Sequence, residues 1–158
     1  MFHQRFHQAI VAIAGLAAFG IVLEALLEIY AAKFDLPMVI FDVCTAFPHA
    51  EEKRDDVFCH PPRDWINIDP ATRTGTMWHM RKMLYGRRPG AANWRGFFDE
   101  AVAGPTLKFK RGEAEPSIFY SRSLQALLSI HVDDGRCVAK LPSLKVVTTF
   151  LAGKVLLK

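Results

Sequence analysis

The distribution of hydrophobic and polar positions predicts a long first helix. Residues 9–23 are apolar without interruption, while Glu24 and Glu28 interrupt the pattern that follows. Five larger apolar side chains recur at spacings of three and four and therefore share one helical face: Leu16, Phe19, Leu23, Leu26 and Tyr30. We expect a buried amphipathic helix over residues 9–32, which ends before Pro37 because the residue before a proline avoids the helical region.

The same apolar run leaves a second interpretation open, because a short segment with Arg5 before an apolar stretch imitates a targeting signal. A bilayer span needs about 20 apolar residues, and residues 9–23 fall short of that length. We therefore expect no stable membrane association and a cytoplasmic or nuclear location. The alternative is a membrane-attached or secreted protein whose N-terminus is a targeting segment.

Further along the chain, apolar runs bounded by turn residues predict a small antiparallel sheet. The strands are expected at residues 38–43, 117–122, 124–132 and 135–139, and further helices at residues 91–103 and 141–151. The helix over 91–103 presents Trp94, Phe97, Phe98 and Ala101 on one face. We expect an α+β fold whose sheet is backed by the helices at residues 9–32 and 91–103.

Composition and charge narrow the class of protein. The 158 residues are 51% hydrophobic and 23% charged, which is typical of one globular domain and excludes wholesale disorder. Three widely spaced cysteines suggest neither a disulfide framework nor a structural zinc site, so a reducing compartment is expected. The net charge is +4, and residues 81–111 hold eight Lys or Arg against Asp99 and Glu100. A polyanion is therefore one class of partner to consider, although a solvated face is the commoner source of such charge.

Two groups of carboxylates stand out from this pattern. Asp42 is the one charged residue of an otherwise apolar predicted strand, where it is either a cap for the turn at Thr45 or a metal ligand. Asp133 and Asp134 lie where an apolar strand turns back, and Asp-Gly by itself favours a hairpin turn. If the strands are neighbours, the three carboxylates could hold two Mg²⁺ ions, the arrangement used in phosphoryl and nucleotidyl transfer.

An ordered series of motifs then indicates a family. The chain carries Asp42-Val43-Cys44-Thr45-Ala46-Phe47, then Pro61-Pro62, then Leu84-Tyr85-Gly86, then His131-Val132-Asp133-Asp134. In this order the motifs resemble the reverse transcriptase of copia-type (Ty1/copia) long-terminal-repeat retrotransposons. The likeness runs from about Val11 to Ala139.

The resemblance implies a function and a set of site residues. The function is RNA-directed DNA polymerase, a nucleotidyltransferase that uses Mg²⁺ or Mn²⁺, a template-primer of RNA or DNA and deoxynucleoside triphosphates. Its catalytic, metal-binding carboxylates would be Asp42, Asp133 and Asp134, with the Val43 carbonyl beside the nucleotide's metal. Phe47 would lie under the sugar and disfavour ribose. Four further residues would approach the nucleotide or the nucleic-acid phosphates: Tyr85, Gly86, Arg87 and Arg88.

Three positions depart from the family pattern without removing a metal ligand, namely His131, Pro48 and Glu115. Relative to the family, the chain matches a single partial domain over residues 1–158, a palm with part of the fingers and without thumb or RNase H. We therefore expect a metal site but weak or no polymerase activity from the chain alone. The alternative of another class is a non-catalytic nucleic-acid-binding remnant that uses the basic residues between 81 and 111.

Overall fold

The computed structural model describes residues 20–62, 64, 77–113 and 115–158, and it gives side chains of the first helix from Glu24 onward. The chain divides into two compact units. The sheet unit comprises Met1–Thr45 and Phe98–Lys158, and the ribbon unit comprises Ala46–Phe97. The ribbon unit is one continuous segment, whereas the sheet unit combines two segments that lie on either side of it in the sequence.

The elements of the described residues follow one another in this order: α1 (Gly20–Lys33), β1 (Met38–Asp42), α2 (Ala46–His49), β2 (Phe58–Cys59), β3 (Trp78–His79), α3 (Gly90–Ala103), β4 (Lys110–Arg111), β5 (Ile118–Ser121), β6 (Ala126–His131), β7 (Asp134–Val138) and α4 (Leu141–Ala152). Five of the strands form one antiparallel sheet in the order β1-β7-β6-β5-β4. β7 therefore lies between β1 and β6.

Helix α1 covers one face of this sheet. Six buried side chains from the helix and from β5, β6 and β7 form a common core: Leu27, Tyr30, Ala31, Ile118, Leu127 and Val138. On the same face Arg136 of β7 donates to Glu28 and Glu24 of α1, each at 2.9 Å. The helix is thus fixed to the sheet by an apolar contact and by a two-carboxylate ion pair.

The opposite face of the sheet is also buried. Phe119 and Leu128 are at most 2% exposed, and Phe98 of α3 meets the Phe119 ring edge-on with 6.0 Å between centroids. Cys137 lies on this face and is fully buried, which raises the pKa of its thiol to about 12. Since an apolar strand buried on both faces carries few polar side chains, a charged residue is accommodated best at the strand ends.

The ribbon unit is held by a short two-stranded ladder. β2 and β3 pair antiparallel, with Phe58 opposite His79. Outside this ladder, the segments that precede β2 and follow β3 are joined by a backbone hydrogen bond of 3.0 Å from the Met83 N–H to the Ala50 carbonyl. The Met83 side chain is fully buried. The unit therefore has a small core of its own.

The α+β class and the antiparallel sheet are confirmed. The strands predicted at residues 38–43, 117–122, 124–132 and 135–139 match β1, β5, β6 and β7, and every strand end agrees within two residues. The helices predicted at residues 91–103 and 141–151 match α3 and α4. Residues 9–19 of the predicted first helix lie outside the described residues, as do Leu16 and Phe19 of its stripe. None of the helices in the described ranges is long and apolar enough to cross a membrane.

Two details of the fold differ from the sequence analysis. The two-residue strand β4 was not expected, because Lys110 and Arg111 are polar and pair only at the sheet's outer edge. In α1 the fully buried side chain is Leu27, whereas Leu26 of the predicted stripe is half-buried. The core reaches around the helix because Ala31 and Tyr30 also pack on the sheet.

Candidate functional site

The strand register places Asp42 and Asp134 side by side. The two residues are direct partners across the β1–β7 ladder. The N–H of Val43 donates to the Asp133 carbonyl at 2.8 Å, whereas the N–H and carbonyl of Asp42 both bond to Lys158 on the other side of the strand. Asp42 and Asp134 therefore form a non-hydrogen-bonded pair, the kind whose Cα atoms approach to about 4.5 Å and whose side chains lie close on one face.

The turn between β6 and β7 adds Asp133. His131 and Asp134 are partners across the β6–β7 ladder, so Val132 and Asp133 form a two-residue hairpin loop. Val132 has a φ of 57°. Tight two-residue loops favour a positive φ at their first central residue, but a β-branched side chain is strained there, at a cost of about 1–3 kcal/mol. The hairpin thus keeps a strained residue next to the two aspartates.

These carboxylates suit a hard divalent cation. Asp42 and Asp133 are half-buried and Asp134 is exposed. Oxygen ligands are what Mg²⁺ and Mn²⁺ prefer, and two facing carboxylates repel each other unless a cation lies between them. Within the described residues, none of the ion pairs includes any of the three aspartates.

The side chains are neighbours but do not form a closed cage. Among the residues that the structure describes, no three His, Cys, Asp or Glu side chains are grouped closely enough to hold a metal ion. Val43, whose carbonyl the resemblance places beside the nucleotide's metal, has a fully buried side chain. If Asp42 capped the turn at Thr45, its carboxylate would accept a hydrogen bond from that turn, but none is found in the described part of the chain. The hydroxyl of Thr45 instead donates to the Cys44 carbonyl.

The ribbon unit brings together two of the residues expected to contact the nucleotide. The rings of Phe47 and Tyr85 stack with 4.7 Å between centroids and 19° between planes. Gly90 lies behind Phe47, and a Cβ on this glycine would approach that ring to 3.0 Å. Phe47 is therefore held from two sides, while Tyr85 remains 54% exposed.

Gly86 forms the turn that follows this stack. The N–H of Arg87 donates to the Leu84 carbonyl at 3.3 Å, and Gly86 has a φ of 83°. A turn with a left-handed third residue favours glycine at that position. The Leu84-Tyr85-Gly86 motif therefore has a conformational reason of its own, independent of any ligand.

Of the two arginines expected at phosphate, the structure pairs one and leaves the other exposed. Arg87 Nη2 donates to Glu52 Oε2 at 2.6 Å, and the Glu52 side chain is 2% exposed. This hydrogen bond holds the pKa of the Glu52 carboxyl below its usual range. Arg88 is exposed and belongs to none of the ion pairs of the described residues.

Two residues that shape the site were not predicted from the sequence. Gly135 lies against the Phe41 ring, and Lys158 is the backbone partner of Asp42. The first carried a signal, since a glycine inside a strand marks a close approach of another group. For Lys158 the sequence contains no such signal, because a short segment after a helix can pair with any nearby strand edge.

Comparison with known proteins adds no relative. No protein-family model matches the chain, and no curated protein or solved structure matches it.

Proposed function

We propose that this chain is a palm region of an RNA-directed DNA polymerase that performs two-metal nucleotidyl transfer to a primer 3′-hydroxyl. The observation that carries the proposal is the register of β1 on β7, which sets Asp42 directly opposite Asp134. The adjoining two-residue turn holds Asp133. Asp42 and the Asp133-Asp134 pair, which are far apart in the sequence, thus lie at one end of an antiparallel sheet, and this supports the proposal.

Asp42, Asp133 and Asp134 are the residues that would hold the divalent cations. When bound, the metals would lower the pKa of the primer hydroxyl and neutralise charge on the reacting phosphates. The protein's own contribution is to hold Asp42 and Asp134 opposite each other at the end of the sheet. The strained Val132 turn fixes Asp133 in the same way. A closer grouping of the three carboxylates would have to accompany metal binding, since the described residues do not group them as a metal site.

In the ribbon unit, the Phe47 ring would select against a ribose 2′-hydroxyl by steric exclusion. Its support is the stack on Tyr85 and the contact with Gly90, which restrict movement of the ring. Arg88 is exposed and can reach a phosphate, whereas Arg87 would first have to leave Glu52. We therefore assign the phosphate contact to Arg88 and a structural role to Arg87.

The test is single-nucleotide extension of a DNA primer on an RNA template, with Mg²⁺ and with Mn²⁺. Extension is expected to be slow, because misplacement of reacting groups by about 1 Å can cost on the order of 100-fold. Asp42→Asn, Asp133→Asn and Asp134→Asn should each abolish it. Asp55→Asn is the matched control, since Asp55 is exposed in a loop of the ribbon unit and should leave the rate unchanged.

Activity that survives Asp133→Asn would overturn the assignment of the carboxylates. The non-catalytic alternative predicts a different result, namely binding to a primer-template that weakens with salt and does not respond to Mg²⁺. The basic residues between 81 and 111 give that alternative limited support, because three of them already neutralise acidic side chains. These ion pairs are Lys82–Glu51, Arg87–Glu52 and Arg111–Asp99.

A further inference from the structure

Residues 156–158 pair with the backbone around Asp42 through an isolated β-bridge and flanking hydrogen bonds. Lys158 N–H donates to the Asp42 carbonyl at 2.9 Å, and Asp42 N–H donates to the Lys158 carbonyl at 3.2 Å. Cys44 N–H donates to the Leu156 carbonyl at 2.8 Å, and Val43 lies opposite Leu157 in an antiparallel bridge. Residues 156–158 thus pair with the end of β1 on the edge away from β7.

This pairing puts a lysine on the carboxylate face. Residues directly opposite each other on neighbouring antiparallel strands project to the same face of a sheet. Lys158 is opposite Asp42, Asp42 is opposite Asp134, and Asp134 is opposite His131. Four ionisable side chains therefore form one row across the sheet, with both carboxylates between Lys158 and His131.

Among the described residues, Lys158 is a cation on this face that no ion pair engages. Arg136 projects from β7 to the same face as Asp134, but its guanidinium is already bound to Glu24 and Glu28. Lys158 is exposed and has no ion pair within the described residues, so its ammonium is not committed to another carboxylate there. Its flexible four-carbon stem allows it to swing toward Asp42 or away from it.

We propose that Lys158 is the built-in counter-charge of the Asp42–Asp134 pair and that it thereby weakens uptake of a divalent cation by that pair. Without metal, the ammonium offsets the repulsion between the two facing carboxylates. With metal, the same ammonium repels the incoming cation and must swing away. The second half of this inference rests on the proposed metal-dependent function, whereas the first half does not.

The experiment compares Lys158→Gln with Lys145→Gln, a matched change at an exposed lysine of α4. Each variant removes one positive charge and leaves the rest of the chain unchanged. Thermal unfolding is measured at low salt without divalent metal, in the parent chain and in an Asp42→Asn/Asp134→Asn background. Mn²⁺ binding is measured separately from the electron paramagnetic resonance signal of free Mn²⁺.

We expect Lys158→Gln to lower the melting temperature by about 1–3 °C more than Lys145→Gln in the parent chain and to lose this excess in the double-Asn background. We also expect Lys158→Gln alone to tighten Mn²⁺ binding about two- to fivefold. Equal melting temperatures for the two lysine variants would overturn the counter-charge. Unchanged or weaker Mn²⁺ binding would overturn the effect on metal uptake. The parent chain could also bind no Mn²⁺ while Lys158→Gln still lowers the melting temperature only when Asp42 and Asp134 are present. That result would refute the effect on metal uptake together with the proposed metal site, and it would leave the counter-charge established.

Discussion

The ring of Phe41 lies directly on the backbone of Gly135, one residue from the Asp42–Asp134 pair on each strand. The two residues are partners across the β1–β7 ladder, and a Cβ on Gly135 would overlap the ring. Phe41 is 5% exposed, so its ring has little room to move. The absence of a side chain at Gly135 therefore lets β1 and β7 pair in the register that places the two aspartates opposite each other.

Gly135→Ala should destabilise the protein by about 1–3 kcal/mol, because the added methyl group forces the Phe41 ring or the strands to shift. Chemical denaturation of the variant measures this loss. Gly96→Ala is the matched control, since Gly96 lies in α3 with nothing near its Cβ position, and alanine there should stabilise the helix by about 0.5–1 kcal/mol. If Phe41→Leu fails to restore any stability to Gly135→Ala, the ring contact is not the cause.

The sheet was accessible from the sequence, whereas the details that position the site were not. The strand containing Asp42 and the hairpin containing Asp133 follow from apolar runs and turn residues, which are local signals. Their pairing depends on which strands become neighbours, and only the family resemblance suggested it. The Arg87–Glu52 pair joins residues 35 positions apart. No local pattern indicates such a contact.

The first helix shows the same limit at the level of packing. Spacing correctly indicated that Tyr30 is buried and that Leu26 packs against the core, where it is half-buried, but it left out Leu27, which is fully buried. The hydrophobic stripe is broad because nearly all side chains of the helix are apolar. When polar positions are few, periodicity cannot distinguish between adjacent leucines, and the contact with Ile118, Leu127 and Val138 decides.

Leu27→Asp should consequently unfold much of the chain. A carboxylate placed among the buried side chains of α1 and the sheet lacks a partner, and the loss should exceed about 3 kcal/mol, a large share of a domain's stability. Soluble expression and thermal unfolding measure the effect. Ile29→Asp is the control in the same helix, because Ile29 is 60% exposed and the change should be nearly neutral. Equal effects of the two substitutions would show that this side of α1 does not face the core.

Divalent metal should stabilise the folded chain through Asp42 and Asp134. At a metal concentration about tenfold above its dissociation constant, mass action adds about 1.4 kcal/mol to the free energy of unfolding. Asp134→Asn should raise the metal-free melting temperature slightly, because one of two facing charges is removed, and should weaken the response to Mn²⁺. Asp133→Asn should weaken that response too. A response that is unchanged in both variants would place the metal elsewhere.

The Glu52–Arg87 ion pair should make the stability of the chain depend on pH in the acid range. Because the pKa of Glu52 is lowered in the folded state, mainly by its hydrogen bond from Arg87, the pair stabilises the protein above the pKa that this carboxyl has in the unfolded chain. This stabilisation is lost as pH falls through the lower, folded pKa. The melting temperature of Glu52→Gln should therefore lie below that of the parent at neutral pH, and the difference should shrink below pH about 4. Glu51→Gln provides the control, since Glu51 is exposed and lies 3.9 Å from Lys82, and its effect should be small at every pH.

The Phe47–Tyr85 stack allows a test of sugar selection that separates exclusion from loss of packing. If the Phe47 ring excludes a 2′-hydroxyl, Phe47→Ala should raise the incorporation of ribonucleotides relative to deoxyribonucleotides wherever extension is measurable. Both Phe47→Ala and Tyr85→Ala remove the stack, at a cost of about 0.5–1.5 kcal/mol beyond lost burial, so both should lower the melting temperature. Only the first opens space beneath the sugar. A rise in ribonucleotide use that is as large in Tyr85→Ala as in Phe47→Ala would mean that the stack as a whole, rather than the Phe47 ring, controls sugar selection. No rise in either variant would remove Phe47 from the nucleotide site.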